Sequence, residues 1–249
     1  VHIFPHYPFA FELAAGEKRD VCYIGVGNEC YRKSGVDFSP LHDFRHLLDG
    51  SHLGAFNDYT DFSIIGRTRD DAAGECMDKA ARAMGLPYPG GVNLDRISAE
   101  GDSSLYKLPH PHVDGSEYDF SFSGLKTAVV NIIHNSKQKG TEVSVPDLGA
   151  SCIETVVDCL VKNTVKAAEN YGFDKIVLAG GVSANSRLRK RMADVCTEKG
   201  WQLYMPELSL CGDNAAMVGA QAFYEFKNGN IAGLELNAFA TMPIDEQNG

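Results

Sequence analysis

The residues best suited to chemistry lie in a glycine turn near residue 180. A short aliphatic run, Lys175–Ala179, is followed by Gly180 and Gly181, and Asn185 or Ser186 can cap the helical pattern that begins there. Glycines let a ligand approach the backbone, and a helix N-terminus presents N–H groups and the positive end of its dipole. This arrangement can hold a nucleotide or a phosphate. An ordinary strand-to-helix turn contains the same glycines, so both interpretations stay open.

Three carboxylates are spaced for one face of a helix. Asp71, Glu75 and Asp78 fall at positions i, i+4 and i+7 of a pattern that predicts a helix over residues 68–84. Thr68 and Asp71 are spaced for a capping box at its start. Such carboxylates can accept hydrogen bonds from the vicinal hydroxyls of a sugar or can bind a metal ion. A solvated acidic face is the simpler interpretation.

Two further residues stand at predicted helix N-termini. Asp213 precedes Asn214 and a run of small residues, where either side chain can cap the helix. A carboxylate at that point also suits a contact between a metal and a phosphate. Lys126 lies in the first turn of a helix predicted to begin near Gly124, with Ser123 as its cap. A cation there opposes the helix dipole, which indicates either a bound anion or a lysine whose charge reaches solvent.

The overall charge argues against nucleic-acid binding through the average field. The chain has 249 residues, 44% of them hydrophobic, and a net charge of −10. A nucleic-acid partner would therefore need a local basic patch or a basic helper protein. The densest basic stretch comprises Arg187, Arg189, Lys190 and Arg191, which is either a solvated face or a place for RNA phosphate.

Seven scattered cysteines, without a Cys-x-x-Cys pair, favour reduced thiols and a cytoplasmic protein. No signal-peptide pattern is present, and no apolar run reaches the roughly 18 residues that a membrane span needs. We therefore expect no membrane partner.

The elements that must position these residues alternate between strands and helices. Strands are predicted at Val21–Val26, 62–66, Lys175–Ala179, 201–205 and near Pro243. Helices are predicted at 68–84, from about 95, and at 124–136, 147–170, 185–199 and 215–226. Such alternation over residues 170–245 predicts an α/β layer with a mostly parallel sheet and a ligand at the carboxyl edge of its strands.

Several motifs, in this order, resemble one family. They are residues 66–75 (GRTRDDAAGE), 77–79 (MDK), 86–91 (LPYPGG), 120–127 (FSFSGLKT), 178–188 (LAGGVSANSRL) and 213–217 (DNAAM). Together they are similar to the TsaD family, which makes threonylcarbamoyladenosine in tRNA. The resemblance covers roughly residues 62–244.

The resemblance implies an α/β fold of the actin-like ATPase (ribonuclease H-like) class, with two lobes around a nucleotide cleft. Residues 62–249 would form the nucleotide-binding lobe, with a helical insertion at about 68–170. Residues 1–61 would be a diverged or truncated N-terminal lobe.

The implied reaction transfers a threonylcarbamoyl group from threonylcarbamoyl-AMP to the adenosine next to the anticodon. By resemblance, Asp78 and Asp95 hold ribose hydroxyls, Gly91 lies against the sugar or base, and Asn185 contacts the adenosine. Asp213 would be the catalytic metal ligand, for iron or zinc, with ATP or threonylcarbamoyl-AMP as the bound nucleotide. A metal at the anhydride would polarise the carbonyl and steady the leaving phosphate.

The N-terminal part departs from the family pattern. The family has two metal-binding histidines four residues apart and a Ser-Gly-Gly-His-Thr loop that faces the phosphates. In residues 1–61, His2 and His6, and also His42 and His46, stand four residues apart, but we interpret these histidines as surface or loop residues and assign none to a metal. Only residues 49–53 echo the loop, which makes His52 the candidate for it. Partners implied are tRNA and other subunits of a transferase complex, in a hetero- or homodimer. Because no histidine pair is assigned to a metal, a non-catalytic scaffold that binds adenylate stays open. A metalloprotease is disfavoured because no His-Glu-x-x-His motif exists.

Overall fold

A computed structural model describes residues 21–26, 51–56, 61–110 and 112–234. Within these ranges lie five strands, β1 (Val21–Val26), β2 (Ser51–Phe56), β3 (Phe62–Arg67), β4 (Lys175–Ala179) and β5 (Gln202–Tyr204). The strand predictions are confirmed within two residues at each end, and β2 is an addition. The predicted strand near Pro243 lies outside the described residues.

The five strands form one mixed sheet in the order β3-β2-β1-β4-β5. β1 pairs in parallel with β4, and β4 with β5, whereas β2 is antiparallel to both β1 and β3. The parallel arrangement predicted for the C-terminal part is therefore present, but the sheet as a whole is mixed. It also joins strands from both sides of the proposed division at residues 61 and 62.

Six α-helices occur in the same ranges. They are α1 (Ala73–Ala83), α2 (Gly90–Ser98), α3 (Ser123–Gln138), α4 (Val145–Tyr171), α5 (Ser186–Lys199) and α6 (Ala215–Lys227). The long helix α4 ends at Gly172, whose φ of 75° is readily adopted only by glycine. The predicted bounds of α3 to α6 hold to within two residues.

The core is built around α4, which contacts β1 and the helices α1, α2, α3 and α5. Its buried side chains include Leu148, Ile153 and Leu160, all fully excluded from solvent. Cys152 also lies in this core, and burial raises its pKa to about 12, so its thiol stays protonated at neutral pH. Cys76, Cys152, Cys159, Cys196 and Cys211 are all buried and free of disulfides. No helix within the described ranges is both long and apolar enough to cross a membrane.

The start of α1 differs from the prediction. The helix begins at Ala73, not at residue 68, and the predicted capping box of Thr68 and Asp71 does not form. Thr68 instead extends the sheet, since its N–H donates to the Ser51 carbonyl, while its hydroxyl donates to the Asp71 carbonyl at 2.8 Å. The Ser51 hydroxyl accepts from the Ala73 N–H at 2.9 Å and so caps α1 from β2.

The start of α3 is also capped from outside the helix. Ser123 is the first helical residue, not the cap, and no side chain within the helix fills that role. Instead, the Asp70 carboxylate accepts from the Phe122 N–H at 2.6 Å and the Ser123 N–H at 3.2 Å, and from the hydroxyls of Ser121 and Ser123. The reason is geometric, because a carboxylate from a separate segment can meet several donors at once.

This cap predicts a pH-dependent contribution to stability. Burial raises the pKa of the Asp70 carboxyl, but the hydrogen bonds from Ser121, Phe122 and Ser123 outweigh that effect and hold the pKa below its ordinary value. A carboxyl with a lowered folded-state pKa stabilises the fold above its unfolded-state pKa and loses this effect as pH falls through the folded value. We expect Asp70→Asn to lower the free energy of unfolding at pH 7 by about 1–2 kcal/mol.

Urea unfolding of both proteins from pH 7 to pH 3 measures this contribution. The difference between parent and Asp70→Asn should stay constant down to about pH 5 and shrink below pH 4. Asp114→Asn, at a fully exposed carboxylate, is the control and should change stability by less than about 0.5 kcal/mol. A gap for Asp70→Asn that is independent of pH would contradict the capping role.

Candidate functional site

The glycine turn at the end of β4 has the geometry expected of a ligand-binding loop. Gly180 has φ 85° and ψ 172°, a combination that essentially only glycine adopts. A short 3₁₀ turn, Gly181–Ala184, follows and leads directly into α5. The Asn185 side chain caps α5 by accepting from the Leu188 N–H at 2.9 Å, which confirms the predicted cap.

Asn185 also joins α5 to α2. Its side-chain amide donates to Oδ1 of Asp95 at 2.9 Å, across 90 positions of sequence. The same carboxylate accepts from the Ser186 hydroxyl at 3.0 Å and the Ser186 N–H at 3.1 Å. Asn185 is only 7% exposed, so its two hydrogen bonds fix it in place. Two residues predicted to contact the same adenosine are thus in direct contact.

Asp78 and Gly91 form the second half of this arrangement. Oδ1 of Asp78, on α1, accepts from the Gly91 N–H at 2.7 Å. Because α2 has no side-chain cap of its own, this carboxylate caps its first turn from outside. Gly91 and Asp95 are four residues apart on α2 and therefore share one face. We call the four predicted residues Asp78, Gly91, Asp95 and Asn185 the adenylate cluster.

Gly90, which the sequence pattern did not single out, allows α1 and α2 to pack closely against each other. A Cβ built on Gly90 would lie 2.7 Å from the Cα of Asp78 and 2.9 Å from the Cβ of Ala81. A Cβ built on Gly91 would lie 3.7 Å from Asp78 Oδ1, an ordinary contact. The adjacent glycines thus have different roles, and only the packing reveals which of them needs the space.

We expect Gly90→Ala to destabilise the fold by about 1–3 kcal/mol, because backbone atoms of α1 would have to move. Gly91→Ala should leave the free energy of unfolding within about 0.5 kcal/mol of the parent. Urea denaturation of the two variants measures this difference. Equal stability of the two variants would show that α1 and α2 separate at no cost.

Asp213 lies at the end of a segment that contacts the glycine turn. The hydroxyl of Ser183, within the 3₁₀ turn, is 3.2 Å from Sγ of Cys211, two residues before Asp213. Arg189 reinforces the contact by donating to the carbonyls of Ser183 and Pro206. Asn214 caps α6 through the Met217 N–H at 3.1 Å, so of the two predicted caps the asparagine takes this role.

His52 lies in strand β2, and its predicted contact with the phosphates stays a prediction. Residues 51–56 form a strand because they pair on both sides with antiparallel neighbours. Gly25 of β1 pairs with both His52 and Ala179 of β4. With strands about 4.8 Å apart, the His52 backbone lies about 10 Å from Ala179, at the edge of the sheet where the glycine turn begins.

The basic stretch on α5 is largely neutralised. Arg187 pairs with Glu154 at 3.0 Å, Arg191 pairs with Glu154 and with Asp158, and Lys190 pairs with Asp194. Arg189 binds backbone carbonyls. The three arginines fasten α5 to α4 and to the glycine turn, and Lys190 is paired within α5, so this stretch is a poor phosphate site.

The three carboxylates predicted to share one helix face are divided in the same way, and Asp71 lies before the start of α1. Lys79 pairs with Asp71 and with Glu75, both at 2.7 Å. Asp78 alone faces α2. The ion pairs raise the pKa of Lys79 against the opposing effect of burial, so its charge is firmly retained.

The residues that the structure describes do not by themselves make a metal centre. Within them, no group of three or more His, Cys, Asp or Glu side chains is arranged to hold a metal ion. Asp213 is thus the single predicted ligand for which a described position exists, and we assign no chemical step to a metal.

Comparisons with known proteins show the family to which this chain is similar. Residues 47–220 match the model of the TsaD family, described as tRNA N6-adenosine threonylcarbamoyltransferase. A protein of that name from Clostridium botulinum (strain Kyoto / Type A2) is 45% identical over 203 residues, which cover 81% of this chain and 60% of that protein. Its counterpart from Halalkalibacterium halodurans is 44% identical over 201 residues, covering 80% and 58%. The chain thus spans about 60% of the length of these curated relatives.

A solved structure supports the fold. Full-length HypF in its phosphate- and nucleotide-bound form superposes with a TM-score of 0.61 at 14% identity, over 89% of this chain and 36% of HypF. The predicted actin-like ATPase-type fold is confirmed. With a family model that matches most of its length and relatives at 45% identity, the chain belongs to the TsaD family.

Proposed function

We propose that this chain transfers a threonylcarbamoyl group from threonylcarbamoyl-AMP to N6 of the adenosine next to the anticodon in tRNA. The observation that carries the proposal is the adenylate cluster, in which two carboxylates, a glycine and an asparagine are linked beside the Gly180 turn. Family membership supplies the reaction.

The cluster is preorganised for a ribose. Asp95 already accepts three hydrogen bonds, two at Oδ1 and one at Oδ2, and a carboxylate has about four acceptor sites. We assign the remaining site, at Oδ2, to a ribose hydroxyl. Because Asn185 and Ser186 fix the carboxylate beforehand, the ligand does not have to order it.

The glycine turn would receive the phosphate end of the adenylate. At Gly180 the backbone passes without a side chain, and the following 3₁₀ turn and α5 begin at that point. The amine N6 of the tRNA adenosine would attack the carbonyl carbon of the mixed anhydride. The bond between that carbon and the phosphate oxygen breaks, AMP leaves with the bonding electrons, and N6 loses a proton to solvent.

Asp213 is proposed as a catalytic residue and as a ligand of an iron or zinc ion, and His52 as a contact to the phosphates. The contact of Cys211 with Ser183 and the position of His52 at the carboxyl edge of β4 support these assignments. Other subunits, in a hetero- or homodimer, and cytoplasmic action complete the proposal.

A transfer assay tests it. Purified chain is mixed with threonylcarbamoyl-AMP and a tRNA transcript, and the digested nucleosides are analysed by mass spectrometry. We expect threonylcarbamoyladenosine with the normal transcript and none when the target adenosine is replaced by guanosine. Adenylate binding without transfer, even with added partner subunits, would instead favour a non-catalytic scaffold.

A further inference from the structure

Lys126 draws attention to the exposed face of α3, which the proposed reaction does not use. Its position in the first turn of α3 is unfavourable for a cation, and the helix N-terminus is already occupied by the Asp70 carboxylate. The lysine is exposed, and no ion pair of it is found among the described residues. A first-turn cation without a carboxylate partner is poorly explained by stability alone.

A second lysine lies in line with it. Lys137 follows eleven positions later, which is about three helical turns, so the two side chains leave α3 on the same face about 16 Å apart. Val130 and His134 lie between them and are also exposed. No ion pair of Lys137 is found in the described ranges either. We call Lys126, Val130, His134 and Lys137 the α3 stripe.

The charge of α3 differs from that of its neighbours. Of the six described helices, α3 alone contains no Asp or Glu, although the whole chain has a net charge of −10. On α5, by contrast, every arginine and lysine of the first two turns is bound to a carboxylate or a carbonyl. Basic side chains on α3 are therefore available to an external anion, whereas those on α5 are not.

We propose that the α3 stripe binds the phosphate backbone of an RNA substrate. The inference rests on the proposed function, which requires tRNA to dock on an acidic protein. An RNA backbone presents a closely spaced row of negative charges, and lysines bind it through charge without reading sequence. The span of the stripe is sufficient to meet several phosphates of one strand.

Two double variants with equal change in net charge test the stripe. Lys126→Gln/Lys137→Gln removes its charges, and Lys162→Gln/Lys190→Gln removes two exposed lysines that are paired with Asp158 and Asp194. The affinity of the full chain for a tRNA transcript is measured by fluorescence anisotropy at several salt concentrations. For the stripe variant we expect roughly tenfold weaker binding and a salt dependence reduced by about 1.5 in logarithmic slope. The control variant should bind like the parent.

Calorimetry with AMP should give the same affinity for all three proteins, because the stripe is separate from the adenylate cluster. If the parent binds and modifies tRNA but the two double variants behave alike, the stripe proposal is overturned and the proposed function stands. If the parent neither binds nor modifies tRNA, both fail. Loss of binding to phosphatidylserine vesicles, with tRNA binding unchanged, would assign the stripe to a membrane surface and would also overturn the proposal.

Discussion

Asp213→Ala should reduce threonylcarbamoyl transfer by roughly 100-fold or more, the scale seen when a group that stabilises developing charge is removed. The side chain stands directly before the cap of α6, in a segment that touches the glycine turn through Cys211 and Ser183. In the proposed reaction this carboxylate would act at the phosphate end of the adenylate. Rates are measured with threonylcarbamoyl-AMP and tRNA under single-turnover conditions.

Asn214→Ala is the matched control for Asp213→Ala. It removes the cap of α6 at a cost of about 1 kcal/mol but leaves the carboxylate in place. We expect the Asn214→Ala protein to have a lower melting temperature than the parent. Its transfer activity, measured well below that melting temperature, should equal that of the parent. Metal content of the parent and of Asp213→Ala provides a second measurement. Parent-like transfer by a folded Asp213→Ala protein would remove Asp213 from the mechanism.

Asn185→Ala should affect both stability and ligand binding. The side chain caps α5 and also donates to Asp95, so its removal leaves the Leu188 N–H and one carboxylate oxygen without these partners. We expect the free energy of unfolding to fall by about 2 kcal/mol. Affinity for AMP, measured by calorimetry, should fall at least about tenfold, since about 1.4 kcal/mol of lost binding energy suffices for that.

Asn185→Ser separates the two effects. A serine caps a helix about as well as an asparagine does, but its short hydroxyl cannot reach Asp95 while it accepts from Leu188. We therefore expect near-parental stability together with weakened AMP binding. If Asn185→Ser binds AMP as tightly as the parent, the residue serves as a helix cap and its proposed contact with adenosine is wrong.

The sequence alone was sufficient for the local elements and for the family. The strand Lys175–Ala179, the glycine turn and the cap at Asn185 are local features, because each depends on residues within about one helical turn of one another. The six motifs together then carried the resemblance, and with it Asp78, Gly91, Asp95 and Asn185 as a set.

Only the tertiary structure decided how the carboxylates are used. Asp70, Asp78 and Asp95 each accept from the first turn of a different helix, and Ser51 does the same from a strand. Their partners are between 13 and 91 positions away, so no periodicity within one element could reveal them. The same reason explains why the predicted caps at Thr68 and Ser123 are wrong. The side chains that cap these two helices, Ser51 and Asp70, come from other segments of the chain.

The packing of the helices also decided which basic side chains are free to bind an external anion. Arginines on α5 form a dense basic run in the sequence, yet acidic residues of α4 neutralise two of them across the helix interface. The two lysines of the α3 stripe are eleven positions apart and form no basic run in the sequence, but no carboxylate of the described residues pairs with them. Charge in a sequence gives a total, whereas the position of each countercharge depends on which helices the fold brings together.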